Sequence, residues 1–404
     1  MERIIMHIDV NNAFLSWSAI DLLNKGYKYD IRNSYAVIGG DETARTGIVL
    51  AKSMPAKKMG IYTSETLYSA RKKCPALRVY PPNFLFYQEM SRKLFLLISK
   101  YTPDIEVASV DECYLDYTPI KHLYGDPLDF AKKLQKEIYD TLKFTVNIGI
   151  AENKLCAKMA SDFSKPYKIH TLFPEEIESK MWPLPVGELF GVGKKSAEKL
   201  EILGIHTIYD LAHADSEKLY KYFKNVAVSM INSANGKDDS IVVSDAYETK
   251  GIGNEITLDH DVTSKAELCH HLQVLSEKVG RRLRNSNRYA FVIAVTLKNK
   301  YFKRFSHQKK IVNPTNSSDE IFNITKQILD EMGELEPIRL IGVRLDKLTD
   351  QKIYQVSLFE DTVQKENEDV LNKTLDQINS KYGKSIVKKA SLLHAKEKKG
   401  LEKN

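Results

Sequence analysis

The chain has 404 residues, 43% of them hydrophobic and 28% charged, which is the balance of a soluble globular protein with room for two to four compact domains. No run approaches eighteen uninterrupted apolar residues, and the opening MERIIMHIDV lacks the layout of a signal peptide, so neither a membrane span nor a secretory leader is expected. Cys74, Cys113, Cys156 and Cys269 are scattered without a CxxC or Cys/His cluster, which argues against a disulfide framework or structural zinc and for a reducing cytoplasm. A formal charge of +7 is by itself a weak pointer to a polyanionic partner; its placement carries more information.

Residues 3–10 read as a short apolar strand ending on Asp9, and 14–24 as a helix with Ala13, Trp17 and Ile20 on one side. Strands at 34–39 and 45–51 flank a GGDET turn, and short basic helices follow at 52–60 and 67–73. An amphipathic helix over 84–101 is stopped by Pro103. The stretch 107–117, VASVDECYLDY, then reads as strand, interruption, strand, with Asp111 and Glu112 at the interruption. A helix at 128–142 and a strand at 144–150 complete a mixed region built around a sheet carrying both Asp9 and Asp111. From 172 to 236 the pattern changes to short helices and glycine turns, closed by the polar NGKDDS. A second mixed region has helices at 265–284 and 318–332 and strands at 290–297 and 338–345. The end is polar and lysine-rich, with an apolar island at 356–359.

Adjacent carboxylates beside a buried strand are costly to desolvate unless a cation or a donor meets them. A lone Asp-Glu pair is ordinarily a turn facing water. With Asp9 on a neighbouring strand, three acids converge, a set suited to two Mg²⁺ ions roughly 3.5–4 Å apart for in-line phosphoryl transfer. A straight strand aims residues 111 and 112 to opposite faces, so a bend at the pair is required.

IDVNNAF at 8–14, SVDECYLD at 109–116 and GIAENKLCAKMASDFSKP at 149–166 together resemble the Y-family DNA polymerases, the DinB/UmuC group that copies damaged templates. The resemblance runs in order over about residues 3 to 359, and its overall pattern is most similar to UmuC-like repair proteins of Gram-positive bacteria. It implies an α+β multidomain right-hand polymerase. The palm, with a mixed sheet, would be 1–12 and 78–170, the fingers 13–77, and a small helical thumb with a helix-hairpin-helix 171–236. A linker at 237–245, an α/β little finger at 246–348 and a tail at 349–404 would follow.

The activity implied is low-fidelity, template-directed addition of dNTPs to a primer 3′ end, with two Mg²⁺ per site and Mn²⁺ as a substitute. By the same resemblance Asp9, Asp111 and Glu112 are catalytic metal ligands, joined by the carbonyl of Val10. Phe14 is the steric gate against a 2′-hydroxyl, and Lys165 contacts the triphosphate. Where the family often has Tyr and Arg gripping the triphosphate, this chain has Met54 and Lys57. Lys57 keeps a charge but loses the bidentate fork, which shifts the load toward Lys52 or Lys58. Many relatives carry a second acid two residues after the first; here it is Asn11.

Residues 189–211 resemble a helix-hairpin-helix, with a GVGK turn between apolar helices. There the backbone of Gly191 and Gly193 approaches a DNA phosphate and Lys194 adds charge. Residues 278–310 contain eleven Lys/Arg and no acid, interleaved with Tyr301, Phe302 and Phe305, and read as a track for the phosphate backbone; Arg281, Arg282, Lys303 and Arg304 are its leading contacts. Gln355, Leu358 and Phe359 resemble the peptide that docks bacterial polymerases on the sliding clamp (the beta subunit); the competing reading is a last strand of the little finger. The partners expected are primer–template DNA, dNTP and the clamp, with no membrane, for a monomer. Two alternative readings fit the residues less well. A nucleotidyl cyclase-like palm enzyme has no use for the hairpin and the basic track. A non-catalytic DNA- and clamp-binding regulator has no need of Asp9, Asp111, Glu112 and Lys165.

Overall fold

Strand β1 (Ile5–Val10) is buried along its whole length, and its alternation separates two surroundings. Met6, Ile8 and Val10 enter an apolar core with Trp17, Tyr87, Leu94, Phe130 and Leu134. Ile5, His7 and Asp9 point to the opposite face. The computed structural model describes residues 3–42, 45, 47–244, 249–333, 335–351, 362–383 and 386–387, the side chains of 362–369 excepted. They fall into two compact units, Met1–Gly40 with Gly47–Ala246, and Asp41–Thr46 with Tyr247–Asn404.

In the first unit, the strands after β1 are β2 (Ala36–Gly39), β3 (Val49–Lys52), β4 (Arg78–Tyr80), β5 (Ile105–Val107), β6 (Glu112–Asp116), β7 (Val146–Ala151) and β8 (Ile169–Thr171). They form a five-stranded sheet in the order β5-β6-β1-β7-β8 and a three-stranded sheet in the order β3-β2-β4. β1 is antiparallel to both its neighbours, with Asp9 opposite Glu112 on one side and Asn147 on the other. Helices Phe84–Ile98 and Pro127–Leu142 cover the apolar face. Helix Lys154–Asp162 covers the other, and Gly149 on β7 admits it: a Cβ there would meet the Ala157 carbonyl oxygen at 2.0 Å. Residues 174–234 are short helices, including Lys194–Ile202, Ile208–Ala212, Ser216–Phe223 and Val226–Ala234.

In the second unit β9 (Gly251–Val262), β10 (Tyr289–Asn299), β11 (Arg304–Thr315) and β12 (Ile338–Thr349) form an antiparallel sheet in the order β11-β10-β12-β9. Helices Lys265–Asn285 and Ser318–Glu331 bury their apolar sides against it. A further helix spans Thr362–Tyr382.

Several elements differ from the sequence reading. β9 and β11 went unread because one is GIGNEITLDHDV and the other RFSHQKKIVNPT. Both are edge strands with mostly exposed or half-exposed residues, and edges carry charge rather than an apolar stripe. The residue at 52, expected to open a basic helix, instead ends β3, and the helix is only Met54–Lys58 because Ser53 caps it through the Ala56 N–H. The arm before the GVGK turn is a single 3₁₀ turn, Val186–Glu188, where an apolar helix was expected.

Candidate active site

The bend required at the acidic pair is present. β5 and β6 form a hairpin, and Asp111 lies in its connection one residue before β6 begins. The Asp111 carbonyl accepts from the N–H of Val10 at 3.0 Å, which ties the turn to the residue closing β1. Glu112 is the first residue of β6 and stands opposite Asp9, so the two side chains share the face beneath helix Lys154–Asp162.

Cations already meet these acids. Lys165 donates to Asp9 Oδ2 and, at 2.8 Å, pairs with Asp162. Lys158, from the helix above, donates to Glu112 Oε1 at 2.8 Å and lies 3.3 Å from Asp162. Burial pushes the Asp9 carboxyl up to about 6, against the pull of Lys165 and Lys158. Burial also works against the charge of each lysine. For Lys158 the bond to Glu112 and the neighbouring acids outweigh it; for Lys165 Asp9 and Asp162 do so, and both ammonium groups are held above their ordinary value. His7, fully buried, bonds Ser161 Oγ through Nδ1 at 2.8 Å and has Nε2 3.9 Å from Glu112. Burial, then the two lysines, lowers its pKa well below the usual range, which keeps it neutral.

Asp111 is arranged differently. Its carboxylate accepts from Ser109 Oγ at 2.6 Å. Among the described residues no three His, Cys, Asp or Glu side chains are grouped to hold a metal ion. The convergence expected of three carboxylates is therefore partial: Asp9 and Glu112 share a face, while Asp111 is held by its own turn. The donor set still suits a hard divalent cation, since it is carboxylate oxygen beside the backbone of Val10, and a carboxyl as buried as Asp9 gains from a cation at hand.

Phe14 opens helix Ala13–Asn24 and is half-buried. Its ring stacks on Tyr87 with centroids 4.8 Å apart and meets Phe84 edge-on at 5.9 Å, so its position is fixed by aromatic packing. Asn12, at a left-handed φ of 51°, donates to the Lys52 carbonyl at 2.7 Å and so fastens β3 beside the end of β1. Lys52 is half-buried and donates to Thr63 Oγ1 at 3.0 Å. Burial, and then the charge of Lys57, lowers its pKa. Lys57 is exposed one turn into the short helix. Among the described residues neither lysine has a carboxylate partner; Glu65, the nearest acid to act on Lys52, is engaged by Lys73, Ser69 and the Tyr62 N–H.

The expected DNA contacts fare unevenly. Gly191 takes a left-handed φ of 92°, Gly193 caps helix Lys194–Ile202, and Lys194 is almost fully exposed. In the second unit Lys303 is exposed and Arg281 half-exposed. Arg282 donates to the Gly253 carbonyl at 2.8 Å, and Arg304 pairs with Glu255. The run 278–310 is free of acids only along the sequence, because β9 supplies one across the sheet. Arg284 departs from the track altogether: it is buried, with bonds to the Asn316 carbonyl, Ser318 and Asp376 of helix Thr362–Tyr382. Tyr301 and Phe302 are exposed, with Lys300 over the one ring at 4.9 Å and Lys298 and Arg339 over the other at 5.6 and 5.0 Å. Gln355, Leu358 and Phe359 lie outside the described residues. Among the described residues no helix is long and apolar enough to cross a membrane.

Lys158, His7 and Asn147 were not singled out in the sequence. The usable signal for Lys158 was a charge set inside the small apolar run LCAKMA, a costly place for an ammonium group without a partner.

Residues 8–162 match the impB/mucB/samB family, 249–358 its C-terminal domain and 174–205 the IMS family HHH motif. DNA polymerase IV of Clostridium acetobutylicum is 45% identical over 399 residues, spanning 98% of this chain and 100% of that protein. DNA polymerase IV of Alkaliphilus oremlandii is 34% identical, over 97% of this chain and 100% of that protein, and DNA polymerase IV 1 of Bacillus subtilis is 33% identical, over 98% and 95%. A solved Y-family DNA polymerase chimera superposes with a TM-score of 0.75 at 24% identity, covering 86% of this chain and all of that one, a likeness of fold. These relatives are named DNA polymerase IV, and the narrower resemblance to UmuC-like proteins is not carried below the family level. With that identity sustained over nearly its whole length, the chain belongs to the impB/mucB/samB family of Y-family DNA polymerases.

Proposed function

We propose that the protein is a template-directed DNA polymerase that adds dNTPs to a primer 3′ end and carries out low-fidelity translesion synthesis. The observation that carries this reading is Asp9 facing Glu112 in register, with Asp111 bound to the backbone of Val10 beside them. Asp9, Asp111, Glu112 and the Val10 carbonyl are the groups to hold two Mg²⁺, or Mn²⁺ in its place. When bound, these ions acidify the primer hydroxyl and neutralise the leaving pyrophosphate.

The chain's own residues supply the rest. Lys165, partly exposed and resting on Asp9, is free to move to an arriving triphosphate. Lys52, beside residue 12, and Lys57 have no carboxylate partner among the described residues and share the load that Met54 cannot carry. Phe14, locked by Tyr87 and Phe84, sets a flat wall under the sugar. The five-stranded sheet is read as the palm, the three-stranded sheet as the fingers, the helical segment as the thumb and the four-stranded sheet as the little finger.

Gly191, Gly193 and Lys194 on the thumb, and Arg281, Arg282, Lys303 and Arg304 on the little finger, contact phosphates rather than bases, as copying any template requires. Gln355, Leu358 and Phe359 dock a monomeric enzyme on the sliding clamp. The free cysteines suit the cytoplasm. Primer extension on undamaged and abasic templates tests the reading. Extension in Mg²⁺ that follows the template and stops with chelator is expected; no templated incorporation with either metal overturns it.

A further inference from the structure

Asn11 lies two residues after Asp9, and its surroundings show what an amide does there that an acid could not. It is buried just past β1, with its N–H on the Thr145 carbonyl at 2.9 Å and its carbonyl accepting from Ser16 Oγ at 2.8 Å. Its side chain faces that of Asn147, fully buried on β7 opposite Asp9. Asn147 Nδ2 lies 2.9 Å from the Ser161 carbonyl and 2.6 Å from the Ser164 carbonyl. Carbonyls only accept, so the atom between them is the nitrogen. That turns Asn147 Oδ1 the other way, where the Lys168 N–H donates to it at 3.1 Å. Any group at position 11 facing this oxygen must also donate, and Asn11 Nδ2 does so at 3.0 Å. Asn11 Oδ1 is then left to accept from the Tyr167 N–H at 2.9 Å. Backbone partners thus fix both amides, and every polar atom of the pair is satisfied.

The consequence falls on Lys165. Its neighbour on one side, Ser164, is held by Asn147; two residues on, Tyr167 is held by Asn11 and Lys168 by Asn147. We propose that Asn11 and Asn147 are positioning residues for Lys165: an interlocked pair of buried amides that clamps the 164–168 loop to β1 and β7 and sets the ammonium group beside Asp9, ready for the triphosphate. An Asp at position 11 could still accept from Tyr167, but it would set a carboxylate oxygen against Asn147 Oδ1 with no proton between them.

The inference rests on Lys165 as a triphosphate ligand, and its test separates the two. The Kd of the incoming dNTP is measured on a dideoxy-terminated primer–template with the full chain, so that no turnover is needed. Lys165→Ala is expected to weaken dNTP about tenfold, the scale of one charge-assisted contact. Asn11→Asp and Asn147→Ala should each weaken it several-fold, with primer–template affinity within about twofold of wild type. In a Lys165→Ala background neither should weaken dNTP further, because a positioning residue has nothing left to position. A purely structural role predicts the same factor in both backgrounds, and that result, or unchanged dNTP affinity in Asn11→Asp and Asn147→Ala, overturns the pair alone. Unchanged affinity in Lys165→Ala overturns the assignment of Lys165 and the pair with it. Asn11→Ala is a second way to remove the donor should Asn11→Asp not fold.

Discussion

Replacing Asp9 with Asn should stabilise the metal-free protein while abolishing DNA synthesis. Burial lifts the Asp9 carboxyl from 3.8 to about 6, so the native state binds its proton more tightly than the unfolded chain does. A group shifted in that direction contributes its stability fully below the unfolded value and loses it as pH rises through the folded one. Above pH 6 both states carry an ionised Asp9, and the native state bears the cost of burying it. A gap of roughly two pH units at about 1.4 kcal/mol each sets that cost at about 3 kcal/mol. Asn carries no charge at any pH and can accept from Lys165, which keeps its bond to Asp162. The gain from Asp9→Asn should therefore be about a third of its full size at pH 4.5, roughly 1 kcal/mol, and reach about 3 kcal/mol at pH 7.5. For a unit of this size that is a rise in Tm of about 3–10 °C. The assay is thermal unfolding in chelator at the two pH values, repeated with Mg²⁺, where only the wild type should gain stability by mass action. A lower Tm for Asp9→Asn at pH 7.5, or a gain of equal size at both pH values, would refute the argument that desolvation outweighs the lysines at this carboxylate.

Asp111→Ala should cut primer extension by about 10³-fold or more while DNA affinity stays within about twofold, measured by extension and by anisotropy; retained extension removes Asp111 from the metal set. Phe14→Ala should let ribonucleotides in, with the dNTP-over-NTP ratio of kcat/KM falling at least about tenfold, and an unchanged ratio removes the ring as the gate. Lys303→Ala should lower the slope of log affinity against log salt by about one, as the loss of one phosphate contact does. Arg284→Ala should leave that slope alone and instead lower Tm, since it strips a buried ion pair with Asp376 at a cost of about 3 kcal/mol. A salt-slope change in Arg284→Ala would return that arginine to the DNA surface.

The sheet around Asp9 was legible because its strands obey the simplest rule, apolar runs ending on or interrupted by acids, and the bend at Asp111 followed from the period of a strand. What escaped depended on neighbours remote in sequence. Residues 278–310 hold no acid, so nothing local announced that Glu255 would reach Arg304 across the sheet or that Asp376 would draw Arg284 inside. Edge strands β9 and β11 lacked an apolar stripe because an edge does not need one. Lys158 is a helix-interior lysine whose partner sits 46 residues earlier. Asn11 drew notice only through the resemblance, and the amide pair stayed hidden because its meaning lies in the carbonyls of Ser161 and Ser164 on the far side of Asn147.

The two lysines at the acids are not equivalent, and on the proposed function the difference bears on how the site would take up cations. Lys158 projects from a helix pressed so closely on β7 that no Cβ fits at Gly149, and its side chain is 9% exposed. Paired with both Glu112 and Asp162 and almost closed off from solvent, it is the less mobile counter-charge of the two. Lys165 comes from a loop and is 39% exposed, so it can leave Asp9 by a side-chain rotation. Together they meet Asp9, Glu112 and Asp162, three carboxylates against two ammonium groups, and Asp111 lies one residue from Glu112. The balance stays negative, which favours an arriving divalent cation. Were Asp9 to hold a cation, Lys165 would be the lysine free to turn to a triphosphate. On the proposed function, Lys158 would stay with Glu112 while Lys165 would be the one to answer the nucleotide.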